Sequence, residues 1–164
     1  KYKLTFVPAV ILSKDASAYP QFTQLWKQYG TVEDDGSYIM RNLNPPYLDL
    51  ATKKVVGYVD VTYLTDKSCT DCYPVNLHKQ ILAGMGVKLA TEKTVDVADA
   101  AGKDLVGKYK ITAVPTVVLS GDIAKYPGVT QVWNQVGTVE ADGTYVFRQL
   151  DKLQDAKYKN LTNN

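Results

Sequence analysis

Cysteine is almost missing from this chain: 164 residues contain two, Cys69 and Cys72. Two thiols three residues apart staple no large loop, so a disulfide framework of the small secreted kind is excluded. Histidine is scarcer still. His78 stands alone, and with two cysteines it cannot complete the four-ligand set of a structural zinc site from thiols and imidazole. Arginine occurs twice, at Arg41 and Arg148, and the balance of 19 basic against 17 acidic residues gives a net charge of only +2. No clustered basic stripe exists, which argues against nucleic acid as a partner. No apolar run approaches the roughly 20 residues of a spanning helix, so no membrane span is expected. The chain also begins without Met or signal peptide, and reads as a mature product or an excised piece. What is present, 45% hydrophobic and 22% charged residues, suits a buried core rather than disorder.

The chain repeats itself. Lys1–Leu43 matches Lys108–Leu150 without a gap at an offset of 107, with 25 of 43 pairs identical. An internal repeat outranks local pattern as a guide to organisation. The second copy is preceded by about sixty residues that the first lacks, and a repeat of this length has the size of one small domain. The organisation expected is therefore a partial unit over 1–50, a complete unit over 51–154 and a polar tail over 155–164. A half unit leaves a sheet edge open and a core half covered, so residues 1–50 are expected to dock intramolecularly or to self-associate.

Periodicity supplies the elements. Val55–Thr65 alternates and is rich in β-branched and aromatic residues, which predicts a strand. Leu77, Ile81 and Met85 at spacing four predict a helix running from Cys69 to about Met85, with Pro74 in its first turn. Val87–Val97 reads as a second strand, and Ala98, Ala101, Leu105 and Tyr109 mark a second helix. Thr116–Ser120 is a short apolar strand. Val129, Val132, Trp133 and Val136 predict a helix entered through Pro127, with Phe22, Leu25, Trp26 and Tyr29 as its twin behind Pro20. Each copy closes with a hairpin turning at Asp142-Gly143 or Asp35-Gly36. The fold class is α/β, with a mixed central sheet flanked by helices.

The chemistry concentrates in Ser68-Cys69-Thr70-Asp71-Cys72-Tyr73-Pro74. At a helix start, free backbone N–H groups and the dipole would favour a Cys69 thiolate, the nucleophilic form. Cys72, one turn on, would be placed to attack a mixed disulfide at Cys69. The spacing supports a dithiol–disulfide cycle; a structural pair on a binding scaffold, or a metal held by Cys69, Cys72 and His78, are the other readings.

The strand, the Cys-x-x-Cys step, the helix and the later KYKITAVPTVVLS together resemble a thioredoxin-like domain over about 51–150. The resemblance implies disulfide exchange with protein thiols, with Cys69 as exposed nucleophile and Cys72 as buried resolving thiol. It implies a cis Val114-Pro115 bond beside the dithiol, leaving the backbone of Val114 free to pair with an extended substrate segment. No cofactor is implied, because the cysteines carry the electrons. The chain departs from the family at three places: Ser68 replaces the Trp before the first Cys, Thr70-Asp71 replaces Gly-Pro, and Tyr63 stands where the family has a buried acid. Asp60 falls on the opposite strand face. The first copy keeps the Val7-Pro8 step without any cysteine. His78 is expected on the helix surface, Trp26 and Trp133 in the core, and Pro45-Pro46 as a plain connector. Scarce Arg with abundant Tyr, Thr and Asn leans toward an extracytoplasmic protein, although two cysteines alone suit either redox compartment.

Overall fold

In the computed structural model, which describes residues 1–162, the chain divides between Val56 and Gly57. The repeat predicted a boundary after Leu50. It falls later because Lys54–Val56 continues a sheet with Tyr47–Asp49, through the pairs Tyr47↔Val56 and Asp49↔Lys54. Gly57 then turns the chain at φ 102°, a backbone open to glycine and costly for other residues.

The first unit holds β1 (Phe6–Val7), β2 (Ile11–Leu12), α1 (Pro20–Trp26), β3 (Gly30–Val32), β4 (Tyr38–Met40), β5 (Tyr47–Asp49) and β6 (Lys54–Val56). They form two three-stranded sheets, ordered β1-β5-β6 and β2-β4-β3. Pro20 opens α1 at a position where its missing N–H costs nothing. The helix ends at Trp26, so Tyr29 lies beyond it rather than on its face.

The second unit is α/β. It runs β7 (Tyr58–Thr65), α2 (Leu77–Gly84), β8 (Lys88–Asp96), α3 (Ala100–Tyr109), β9 (Ala113–Val114), β10 (Thr116–Gly121), α4 (Pro127–Val136), β11 (Gly137–Val139), β12 (Tyr145–Phe147) and β13 (Lys159–Asn160). Five strands make one mixed sheet ordered β11-β12-β10-β7-β8. Only β7 and β8 are parallel, as their helical connection requires; the other neighbours are antiparallel. Strand alternation sorts the side chains to the two faces. Val59, Val61, Tyr63, Val117 and Leu119 cluster with Leu82, Val129 and Trp133 from α2 and α4. Leu64, Val118 and Val146 gather on the other face with Tyr109 and Leu105 of α3. Burying each such side chain contributes about 1.5–3 kcal/mol.

The hydrogen bonds of β10–β12 recur in the first unit at the same offset of 107. The indole N–H of Trp133 donates to Thr138 O at 3.0 Å, and that of Trp26 to Thr31 O at 3.1 Å. Arg148 reaches Glu140 Oε1 (2.9 Å), Thr138 Oγ1 (2.6 Å) and Tyr109 O (2.7 Å), while Arg41 reaches Glu33, Thr31 and Tyr2 in the same way. Lys3 and Lys110 share a left-handed backbone, at φ 48° and 50°.

The last residues are not a mere polar tail. Lys159–Asn160 pairs with Ala113–Val114, as Leu48–Asp49 pairs with Phe6–Val7. Leu161 N donates to Thr112 O at 2.7 Å, as Leu50 N does to Thr5 O at 2.9 Å. Here the offset is 111 rather than 107, so an ungapped alignment stops short of the correspondence.

The guanidinium of Arg148 ties the end of α3 to the hairpin through a planar set of donors that an ammonium cannot reproduce. Arg148→Lys should therefore lower unfolding stability by about 1–2 kcal/mol, measured by urea denaturation, with Arg41→Lys behaving alike in the first unit.

Candidate functional site

β7 carries the chain into a loop over 66–76 that is held at both ends. Asp66 accepts the N–H and the hydroxyl of Ser68, and Cys69 N donates to Asp66 O at 3.0 Å. Asp96, at the end of β8, accepts Lys67 N at 2.7 Å and Ala98 N at 2.9 Å. Within this loop Cys69 and Cys72 are joined by a disulfide, their Cα atoms 5.5 Å apart. Both are half-buried.

The expected helix does not begin at Cys69. It begins at Leu77, five positions beyond Cys72. Pro74 has no N–H and disfavours helical backbone at Tyr73. Tyr73 N instead donates to Lys157 O at 2.9 Å, and the turn bonds that lead into α2 begin with Leu77 N to Pro74 O. The helix terminus therefore does not sit on Cys69, and local charge must come from side chains.

Four such groups lie in the disulfide loop or bond to it. The Asp71 carboxylate lies 3.9 Å from Cys69 Sγ and pairs with Lys157 at 3.0 Å. Lys159 bonds Asp66 at 2.7 Å and Ser68 Oγ at 2.9 Å. The hydrogen bond from Lys159, then that from Ser68, brings the Asp66 pKa down to about 2. Lys157 holds Asp71 below the usual carboxylate range, by hydrogen bond first and charge second. Both lysines escaped the sequence reading. Their counterparts in the first unit are Pro46 and Leu48, and the only available signal was that alternate residues of a strand share a face.

His78 is also placed otherwise than expected. It is 5% exposed rather than on the helix surface, stacked edge-on to Phe147 with ring centres 4.7 Å apart. Its Nε2 is 2.9 Å from the Tyr73 hydroxyl, which lies 2.9 Å from Pro115 O. Tyr73 has one hydroxyl proton and gives it to Pro115 O, so His78 donates from Nε2 as a neutral imidazole. Burial brings its pKa down to about 4 and pushes that of Tyr73 up. With His78 turned into this chain, Cys69, Cys72 and His78 form no ligand set; among the described residues no group of three or more such side chains could hold a metal.

The proline step does come to the cysteines. Cys72 Sγ lies 3.9 Å from Val114 O, and the Val114-Pro115 bond is cis. The backbone of Val114 is not free, however: Lys159 is already its antiparallel partner. An open cleft bordered by Asp71, Cys72, Tyr73, Leu77, Leu153 and Lys157 reaches the disulfide at Cys72. Beneath the loop, Tyr63 stays buried with its hydroxyl 3.3 Å from Glu92, and burial followed by the Glu92 charge pushes its pKa up to about 12. Asp60 is exposed on the opposite face and bonds Thr91. Comparison with protein-family models, with curated proteins and with solved structures yields no match. The geometry itself shows an α/β unit whose Cys-x-x-Cys pair is at disulfide distance and fits a redox motif.

Two outcomes are expected. A His whose folded pKa lies near 4 against an ordinary 6.5 binds its proton more readily when unfolded. Stability is then complete above pH 6.5 and falls by up to about 3 kcal/mol as pH drops toward 4; His78→Gln should remove this part of the pH dependence, followed by denaturation at each pH. In the reduced protein, Lys157→Met should raise the Cys69 thiol pKa by leaving Asp71 uncompensated, and Asp71→Asn should lower it. The rate of thiol alkylation against pH reads both, and the double variant should fall between them.

Proposed function

We propose that this chain is a thiol–disulfide exchange protein with a thioredoxin-like second unit, acting on protein thiols through Cys69 and Cys72. The observation that carries the reading is the seat of the disulfide, at the end of β7 and against the carbonyl of Val114. The order β8-β7-β10-β12, with β7 and β8 alone parallel, supports it. In this reading residues 1–50 are the C-terminal half of a duplicated unit, kept without cysteines.

In the reducing direction the Cys69 thiolate attacks one sulfur of a partner disulfide. The partner's S–S bond breaks, a Cys69–partner bond forms and one partner thiolate leaves. The Cys72 thiolate then attacks Cys69 Sγ, releasing the second partner thiolate and closing Cys69–Cys72. Two electrons pass to the partner, whose thiolates take up two protons; oxidation of a partner dithiol is the reverse. Lys157 offsets the charge of Asp71 beside the attacking sulfur. The chain Nε2–H of His78 to Tyr73 to Pro115 O holds the residue after Cys72 in place. Because Lys159 occupies the backbone of Val114, a partner reaches Cys69 without strand pairing at Val114; the open cleft beside Asp71 and Leu77 borders the disulfide at Cys72.

One observation favours a second reading, a binding or assembly module. The first unit keeps Val7-Pro8 and the strand paired to it with no cysteine nearby, so the scaffold persists without the chemistry.

Equilibration against glutathione, with free thiols counted by mass, decides between them. A reversible couple near about −270 mV marks a reductant and one near about −120 to −180 mV an oxidant or isomerase. Cys72→Ser should trap mixed disulfides at Cys69, and Cys69→Ser should trap at least about tenfold less. Thiols that form no reversible disulfide would leave the module reading in place.

A further inference from the structure

Along β2 and at Tyr19 the first unit exposes residues whose counterparts are buried, while Trp26 and Ile39 stay buried as Trp133 and Val146 do. Val10 and Ile11 are 43% and 47% exposed, whereas Val117 and Val118, the same positions 107 residues on, are 1% and 6% exposed. Tyr19 is 68% exposed and Tyr126 only 4%, although their backbones agree at φ −112°, ψ 89° and φ −111°, ψ 89°. The contrast has an identifiable cause in the second unit. β10 pairs there along its whole length with β7, from Thr116↔Leu64 to Gly121↔Val59. The Tyr126 hydroxyl bonds Gly57 O and accepts Lys88 N at 3.0 Å, and Asp122 Oδ2 accepts Gly57 N at 2.8 Å. Every one of these partners lies between Gly57 and Lys88, in the strand–helix–strand that opens the segment 57–107.

In the first unit the receiving groups are all present. Among the described residues β2 is an edge strand, bonded only to β4. Asp15, the counterpart of Asp122, turns its carboxylate to Ser13 Oγ at 3.0 Å. An open cleft runs past Leu12, Asp15, Tyr19 and Phe22. An exposed edge carrying apolar side chains is a template for another strand.

We infer that this face docks a strand–helix–strand–helix segment built like 57–107, whose first strand runs antiparallel to Ile11–Leu12 and whose backbone meets Tyr19 and Asp15 as Gly57 and Lys88 meet Tyr126 and Asp122. This surface is independent of the redox chemistry, since it contains no cysteine.

The chain as it exists is measured first. By hydrogen exchange, amides 10–12 should open at least about a hundredfold faster than 117–119. Ile11→Lys should leave the unfolding midpoint unchanged while Val118→Lys lowers it. Residues 57–107 are then joined ahead of Lys1, so that Gly107 precedes Lys1 as it precedes Lys108. In this longer chain exchange at 10–12 should slow at least about tenfold, and Ile11→Lys or Tyr19→Ala should abolish the slowing. Unchanged exchange at 10–12 in the longer chain overturns the inference. So does a dimer of the original chain with those amides already protected, which would make a second copy the occupant, and so does Ile11→Lys proving as damaging as Val118→Lys.

Discussion

The antiparallel pairing of β10 with β7 is the constraint on which the second unit depends. Six residue pairs, from Thr116↔Leu64 to Gly121↔Val59, set which side chains share a face. A slip of one residue would send Val117 and Leu119 away from α2 and α4 and expose what is now core. The same register fixes where β10 starts. Pro115 precedes it directly, so pairing Thr116 with Leu64 delivers the proline step to the end of β7, where the disulfide loop begins. The site is thus a consequence of sheet register more than of local sequence at the cysteines.

Around that loop, charged side chains stand where no helix terminus does. The disulfide sits before α2 rather than on it, and the loop acids Asp71 and Asp66 are met by Lys157, two residues before β13, and by Lys159 within it. The exposed Asp71–Lys157 pair contributes little to stability, but the Asp71 carboxylate lies 3.9 Å from Cys69 Sγ and its charge bears on that sulfur. Behind the loop the polar groups are buried instead. The hydroxyl of Tyr73 links the neutral imidazole of His78 to the carbonyl of Pro115, and no buried side-chain polar atom among the described residues lacks a partner. An unsatisfied group there would cost about 1–3 kcal/mol, so the three residues stand or fall together.

The two copies show one local structure under two degrees of cover. Trp26 and Trp133, Arg41 and Arg148, and the paired hairpins make the same bonds, because those bonds lie within about forty residues of chain. Burial of Val117, Val118 and Tyr126 comes from outside that stretch, and their counterparts Val10, Ile11 and Tyr19 remain exposed. Local hydrogen bonding reproduces with the sequence, and so does burial at Trp26 and Ile39, but burial at Val10, Ile11 and Tyr19 does not.

The sequence by itself determined the elements with strong periodicity: the strands β7, β8 and β10, the helices α3 and α4, and the burial of Trp26 and Trp133. Alternation and spacing report which face is apolar, and that needs no knowledge of the partner. It also located Cys69, Cys72 and Pro115, whose types and spacing are chemical facts of the chain. Only the tertiary structure decided the rest. The helix expected at Cys69 yielded to Pro74 and to Lys157, whose carbonyl takes the amide of Tyr73. His78, which helical geometry aimed at solvent, was drawn inward because Phe147 of β12 and the Tyr73 hydroxyl, neither of them on α2, complete its surroundings. Lys159, 90 residues beyond Cys69, reached the loop only because its strand pairs with β9. A periodic pattern is written in neighbours, whereas a partner across the sheet is set by register, and register exists only once the chain has folded.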